Sequence, residues 1–292
     1  MILVDMNQVC ISNLMVSLTS TDSKVSERLV RHMVLNSLRF YRNKFTKTYG
    51  ELVLCYDSKH YWRRKEFSYY KGTRKRDREK SALDWNEIFE VLNHIRDEIR
   101  EFLPYKVIEV DGAEADDVIA TLVKDQAHRN IRLQNSMQPP QKVLILSGDK
   151  DFQQLQRYKF VDQFNPVQKK FVECLDPKKY LLEHIIKGDR GDGIPNYLSD
   201  DDTFVAGKRQ RPLSKVKLAK WVELAPEQFC DEVTSLNYER NRKLIDFDYI
   251  PEEVNANIIN TFETVPTPSR GQMYVYFGRH ELNEMLDHIT DF

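Results

Sequence analysis

The stretch ILSGDKDF, from Ile145 to Phe152, carries an apolar β-type run that breaks at Gly148 and then presents Asp149 and Asp151 one residue apart. Ligand sites of open α/β sheets collect at the carboxyl ends of strands, which is where this pair falls. Two carboxylates so close raise each other's pKa unless a cation keeps both ionised, so the pair asks for a metal. Two more apolar runs end the same way, ILVD in Asp5 and LVLCYD in Asp57. A fourth segment, VIEVDGAEADDVIATLV, reads as a strand and then a helix with Glu114, Asp116 and Asp117 in its first turns. Each acid has a plain structural reading. Asp149 can cap a helix starting at Lys150, Asp111 and Glu114 fit a capping box, and Asp116 and Asp117 suit the positive end of a helix dipole. None of these explains why Asp5, Asp57, Glu114, Asp116, Asp117, Asp149 and Asp151 should all be delivered to one sheet edge. Divalent metal binding does. The later KGDRGDGIP, with Asp189 and Asp192, is by local sequence alone only turn chemistry.

Net charge is −1, yet it is segregated: Arg63 to Lys80 holds nine Lys/Arg against three acids and Phe204 to Lys220 holds six against none. Each window is about +6, which leaves about −13 on the rest of the chain. The first window interleaves Tyr61, Trp62, Phe67, Tyr69 and Tyr70 with Arg63, Arg64, Lys71, Arg74, Lys75 and Arg76, a mixture suited to single-stranded nucleic acid, where bases stack on rings and phosphates meet cations. The second offers Lys208, Arg209, Arg211, Lys215 and Lys217 at the opening of a helix, placed to hold a duplex backbone by its phosphates. A basic surface beside an acidic, metal-seeking pocket is what cutting a phosphodiester requires. No GxxxxGK[ST] or GxGxxG is present, against a nucleotide-fuelled motor or a dinucleotide enzyme. Cys10, Cys55, Cys174 and Cys230 are scattered, without zinc spacing or a disulfide framework. The histidines are dispersed too, and His32 and His94 sit in amphipathic helices as structural residues. No apolar stretch is long enough for a bilayer and the first residues lack a signal-peptide pattern, so the expectation is a cytoplasmic protein with no membrane partner.

These residues need a scaffold, and the amino-terminal portion reads β-α-β-α-α-β-α-β. Helices are expected over about Val25 to Lys47 and Leu83 to Phe102, and strands end at Asp5 and run over Glu51 to Tyr56. Alternation of this kind predicts an α/β fold with a mainly parallel central sheet flanked by helices. Gln126 to Gln141 turns polar and ends in two prolines, a surface loop. Runs at Phe160 to Phe164 and Lys170 to Cys174 extend the sheet. Asp176 and Pro177 start a helix that Gly188 stops. Beyond it helices are expected at Ser214 to Glu223, Pro226 to Val233, Tyr238 to Asp246, Pro251 to Phe262 and Glu281 to Ile289. The division is thus an α/β domain over 1–175 and a smaller helical region over 176–292 packed on the sheet.

The motifs LVDMNQ, LCYDSKHYWRR, YYKGTR, EADDVIA, SGDKDF, KGDRGD and LIDFDYIP, in this order, resemble the flap endonuclease or 5′-nuclease superfamily (PIN-like fold), and most closely its bacteriophage ribonuclease H branch, over essentially the whole chain. The resemblance implies a Mg²⁺-dependent 5′-3′ nuclease that removes RNA primers and adjacent DNA from lagging-strand fragments, with Mn²⁺ able to substitute. It implies two ions, with Asp5, Asp57, Asp116, Asp149 and Asp151 as principal ligands, Glu114 and Asp117 in support, and Asp189 and Asp192 completing the second site. It also implies that Lys71 and Arg74 stand on a helical arch (about 60–80) over the pocket, with Lys71 as a catalytic electrophile, and that KGDRGD begins a helix-turn-helix variant that grips duplex. RNA–DNA hybrid, 5′ flap and fork DNA are the implied substrates for a monomer, and a single-stranded-DNA-binding protein is a candidate partner. Two departures stand out. IPNYLSDDDTFVAGKRQR replaces the glycine turn many relatives use on phosphate, and the Asp291-Phe292 end carries no clamp-binding peptide, so sliding-clamp recruitment is not expected. Two rivals have different signatures. A catalytically silent junction-binding protein has no use for the full acid set, and an aspartyl phosphatase needs a second acid where the first strand continues Met6-Asn7.

Overall fold

Short apolar strands build one six-stranded sheet: β1 (Ile2–Asp5), β2 (Leu52–Cys55), β3 (Lys106–Ile108), β4 (Val143–Leu146), β5 (Val161–Asn165) and β6 (Lys170–Val172). The computed structural model describes residues 1–20, 25–81 and 83–292, with side chains at all of these except 17–20 and 77. The strand order is β3-β2-β1-β4-β5-β6, parallel throughout except for antiparallel β6. The two runs expected to extend the sheet are β5 and β6. Both faces of β1, β2 and β4 are buried, which is why they read as unbroken apolar runs instead of alternating ones. Ile2, Val4, Leu52, Leu54, Leu144 and Leu146 point into one core, and Leu3, Val53, Cys55, Val143 and Ile145 into the other. The chain leaves β1 toward β2 on one side and returns to β4 on the other. That reversal opens a crevice beyond the carboxyl ends of β1 and β4.

Seven helices accompany these strands: α1 (Met6–Ser20), α2 (Glu27–Tyr49), α3 (Arg63–Glu66), α4 (Arg74–Glu79), α5 (Trp85–Phe102), α6 (Ala115–Asn135) and α7 (Pro177–Lys187). The sequence gives no clear sign of α1, because Ser12 and Asn13 interrupt its pattern; both side chains donate back to the Val9 carbonyl. Helix α6 runs on to Asn135, so the loop expected from Gln126 is confined to 136–141. Two polar residues of that last part of the helix face inward: Gln126 donates to Asn130 at 3.0 Å, and Asn130 exchanges hydrogen bonds with the backbone of Gln141. Helix α7 starts on Asp176, whose carboxylate accepts the Lys179 N–H at 2.9 Å, and ends at Gly188 as expected.

The carboxyl-terminal helices are α8 (Lys215–Trp221), α9 (Glu232–Ile245), α10 (Glu252–Thr264), α11 (Arg270–Arg279) and α12 (Asn283–Leu286). The expected Pro226 helix is only a 3₁₀ turn, since Asp231 caps and starts α9 through Thr234 at 2.8 Å, merging it with the Tyr238 segment. The single helix expected over Glu281 to Ile289 is short α12, preceded by an unexpected α11 that opens on a Ser269–Gln272 capping box. Met273, Tyr276, Phe277 and Phe292 close one sheet-face core, and Phe247, Ile250, Val254 and Ile258 close the other. A third core joins Ile185, Ile186, Tyr197, Tyr238 and Leu244 to Phe67 and Tyr70.

One expectation changes. The 60–80 segment is not one helical arch but two short helices, α3 and α4, separated by turns in which Phe67 and Tyr70 are buried. Around KGDRGD, where a helix-turn-helix variant is expected, α7 and α8 flank an irregular loop over 188–214, tied down where Asn196 donates to the Arg211 carbonyl at 2.9 Å. That loop starts at Gly188, φ 65°, where a Cβ would overlap the Ile194 and Pro195 carbonyl oxygens. Gly188→Ala is therefore expected to cost about 2–4 kcal/mol, because it combines a left-handed backbone with a clash against main chain. Urea denaturation measures it, and a loss below about 1 kcal/mol would contradict this placement.

Candidate active site

Strand ends and one helix start bring the acids together. Asp5 closes β1 and is 7% exposed; its carboxylate accepts the Gln8 N–H at 3.1 Å and the Ser147 hydroxyl at 2.9 Å. Asp57, just past β2, accepts the Ala115 N–H at 2.7 Å and so ties the second strand to the first turn of α6. Asp116 sits in that turn, and Asp149 lies beyond β4, held by its own N–H on Ser147 Oγ at 3.0 Å. Burial pushes the Asp5 carboxyl up to about 6, with Asp57 and Asp149 adding to the rise against the Gln8 and Ser147 hydrogen bonds. Burial first, then Asp149 and Asp5, hold Asp116 well above the usual carboxylate range. These four residues form one electrostatic unit.

Across the crevice the turn after α7 folds back, which local sequence could not show. Asp189 accepts the Asp192 N–H at 3.1 Å, and the Ile194 N–H binds the Asp189 carbonyl at 2.7 Å. Asp151 faces them at the head of a 3₁₀ turn. Burial raises the Asp151 carboxyl to about 8, with Asp149, Asp189 and Asp192 adding to it and His184 opposing. His184 Nδ1 stands 3.3 Å from Asp151 and its Nε2 3.2 Å from Asp189. Burial alone would lower the His184 pKa, but these two acids raise it.

Glu114 and Asp117 behave differently from the other acids. They form the capping box of α6, one turn later than the Asp111–Glu114 box expected from sequence. Arg63 Nη1 donates to both, at 2.8 and 2.9 Å, and Arg63 itself is 3% exposed. Trp62 Nε1 reaches Asp117 at 3.2 Å, and the Tyr70 hydroxyl meets Glu114 at 3.0 Å and Asp192 at 2.7 Å. Lys71 Nζ bonds Glu114 and lies 3.7 Å from Asp192. Burial would lower the Lys71 pKa, but Asp192 and Glu114 outweigh it and hold the ammonium charged. Its backbone sits at φ 53°, fixed by its N–H on the Asp192 carbonyl at 2.7 Å. A non-glycine residue in that region is held by its surroundings. Lys71 is thus in the pocket wall and not over its mouth. Arg74 is more exposed and grips Asp192 at 2.6 Å.

The expected nucleic-acid contacts divide accordingly. Trp62, Arg63 and Tyr70 are buried and cannot receive a base or a phosphate; the aromatic–cationic pattern there is an internal ion-pair network. Tyr61 is half-buried, edge-on to Tyr70. Arg64, Lys75 and Arg76 are exposed, as are Lys208, Arg209, Arg211, Lys215 and Lys217, with Lys208 paired to Asp202 at 2.8 Å. Sequence reasoning passed over Gln8, Ser147 and His184. A histidine on the face of α7 that also carries Ile185, five residues before Asp189, was the available signal. The donors left over, buried carboxylates that repel one another and a ring nitrogen without a hydrogen bond, suit a divalent cation. Asp151, His184 and Asp189 offer ligand atoms within 4.8 Å of one another.

Crowded carboxylates at a topological switch point, with the exposed Arg74 held on Asp192, suit metal-assisted phosphoryl transfer. The profile of the 5′-3′ exonuclease N-terminal resolvase-like domain matches residues 1–184, and that of the T4 RNase H carboxyl-terminal region matches 177–292. Ribonuclease H of Enterobacteria phage T4 is 35% identical over 301 residues, 99% of this chain and 95% of the relative. The flap endonuclease of bacteriophage T5, solved in complex with DNA and metal ions, shares the fold at a TM-score of 0.61, with 15% identity over 90% of this chain and 99% of that one. The T5 5′-exonuclease with bound zinc gives 0.55, at 16% identity over 91% and 99%. The chain belongs to the 5′-3′ exonuclease family. It is a nuclease, a phosphodiester hydrolase.

Two outcomes follow from the site. Asp5 and Asp151 have folded pKa values above their unfolded ones, so the stability they contribute is complete below about pH 4 and is lost as pH rises through about 6 and about 8. A divalent ion held by these carboxylates would take their deprotonated form, so a divalent cation at about a hundredfold over its Kd should raise Tm by about 5 °C at pH 8 and by much less at pH 5.5. Scanning calorimetry checks this, and an equal or smaller increment at pH 8 contradicts it. Arg63→Met should cost about 3–5 kcal/mol, because Glu114 and Asp117 lose their buried partner, whereas Arg64→Met should cost less than about 0.5 kcal/mol. Similar losses in both variants, read by urea denaturation, would refute the assignment of Arg63 to the interior.

Proposed function

We propose that the chain is a Mg²⁺-dependent 5′-3′ nuclease that removes RNA primers and adjacent DNA from lagging-strand fragments and also cuts at 5′ flaps and forks. The observation that carries this reading is the convergence of Asp5, Asp57, Asp116 and Asp149 with Asp151, Asp189 and Asp192 on one crevice, in a chain 35% identical to a phage ribonuclease H. The crevice would hold two ions, Mg²⁺ in use and Mn²⁺ as a substitute: Asp5, Asp57, Asp116 and Asp149 on one side, Asp151, Asp189 and Asp192 on the other. When bound, such ions supply Lewis acidity toward water and toward the scissile phosphate. Lys71 and Arg74, both beside Asp192, bring positive charge to the phosphate as it enters, and no protein nucleophile is needed. Lys71 acts on Asp116 as well, so a phosphate displacing Glu114 from the ammonium would find it already positioned.

Arg64, Lys75 and Arg76 near the pocket, and Lys208, Arg209, Arg211, Lys215 and Lys217 on the carboxyl-terminal side, hold the strand and the duplex by their phosphates. Contact with phosphates instead of base edges accounts for use of both RNA and DNA. The protein works as a monomer in the host cytoplasm, beside a single-stranded-DNA-binding protein. A 5′-labelled RNA–DNA hybrid, a nicked duplex and a 5′ flap, each with and without Mg²⁺, test the proposal. Cleavage should vanish in EDTA, and Asp149→Asn should lose more than about a hundredfold in rate while keeping its affinity for the flap. Cleavage that survives EDTA overturns the reading, as does an Asp149→Asn protein that cuts normally.

A further inference from the structure

His184 occupies the inner face of α7 with its side chain only 11% exposed. Its Nε2 lies 3.2 Å from Asp189 Oδ2, so in the neutral ring that nitrogen carries the proton and the lone pair is on Nδ1. Nδ1 is buried and has no hydrogen-bond partner, although Asp151 Oδ1 is 3.3 Å away. Two ligands about 2.1 Å from one ion stand about 3.0 Å apart in an octahedral site and about 3.4 Å apart in a tetrahedral one. The Nδ1 to Oδ1 separation falls within that span. A carboxylate on the far ring nitrogen is the usual means of fixing the tautomer and direction of a ligating histidine. The ring of Tyr180 meets the imidazole edge-on at 5.9 Å and restricts its rotation.

We propose that His184 Nδ1 is a direct ligand, together with Asp151, of the ion in this half of the crevice, with Asp189 orienting the ring, and that the nitrogen donor makes this position favour a transition ion such as Mn²⁺ over Mg²⁺. Imidazole suits borderline transition ions, whereas Mg²⁺ takes oxygen ligands and keeps its water. The two halves of the site are then unequal. Asp5, Asp57, Asp116 and Asp149 form an all-oxygen position, while His184 joins Asp151, Asp189 and Asp192 in a mixed one. The inference rests on the divalent-metal reading above and assigns it one further residue and an ion preference.

The competing role for His184 is purely electrostatic, an imidazolium between Asp151 and Asp189. Full-length metal-free protein, loaded with Mn²⁺ in a buffer without coordinating nitrogen, separates the two. In the wild type, pulsed electron paramagnetic resonance should show modulation from a directly bound ¹⁴N nucleus. His184→Gln and His184→Lys should both lose that signal and bind Mn²⁺ about tenfold or more weakly at this position, with Mg²⁺ affinity changed less than about threefold. The lysine variant keeps the positive charge and removes the ligand, so wild-type Mn²⁺ affinity in His184→Lys would overturn the proposal. So would bound Mn²⁺ without nitrogen modulation in the wild type, a result that needs no variant to fold and leaves the divalent-metal reading intact. Failure of the wild type to bind either Mn²⁺ or Mg²⁺ would overturn that reading together with this inference.

Discussion

Mutual repulsion among carboxylates is the constraint around which this molecule is arranged. Parallel strands that end at a common edge, with connections that reverse direction between β1 and β4, place Asp5, Asp57 and Asp149 closer together than water-exposed acids would settle. The fold answers in two ways. Where the acids serve as structure, it supplies permanent cations: Arg63 is buried against Glu114 and Asp117, and Lys71 against Glu114. At the crevice it supplies no such cation to Asp5, Asp116 or Asp151, and burial beside other acids raises the pKa of each.

This division accounts for what the basic segment after β2 does. A run of mixed aromatics and cations looks outward in sequence, yet Trp62, Arg63, Phe67 and Tyr70 turn inward and cement α3 to α6 and to the third core. Other members, Arg64, Lys65, Arg74, Lys75, Arg76 and Lys80, stay exposed at the surface. One stretch therefore both neutralises the wall of the crevice and lines its approach. The backbone of Lys71, held at φ 53° by Asp192, is the hinge between those two tasks.

The strand-end aspartates were legible because buried parallel strands must be apolar, so a charge that ends one is conspicuous. The start and stop of α7 were legible through Asp176, Pro177 and Gly188, whose backbone preferences are local. What was not legible depended on distant partners. Gln126 and Asn130 look like loop residues until Gln141 satisfies them inside, and α1 is disguised by hydroxyl and amide side chains that bond back to their own helix. Nothing in KGDRGD tells that the turn folds back to the crevice; that follows from Pro195, whose carbonyl accepts from Asn241 of α9, and Tyr197, whose N–H binds the Ile186 carbonyl of α7. For the same reason the local signal of His184, its place five residues before Asp189, says little alone: its meaning comes from Asp151, which follows a different strand, β4.

The placement of Met273, Tyr276, Phe277 and Phe292 on one face of the sheet, and of Val254 and Ile258 on the other, bears on how the molecule is made. Residues of α2, α5 and α6 cover most of the two faces, but neither is closed until these last segments leave the ribosome, and β1 must also wait for β4. The acid edge draws on chain from Asp5 to Asp192, so it is complete only after β4 and the turn beyond α7 have joined the first two strands.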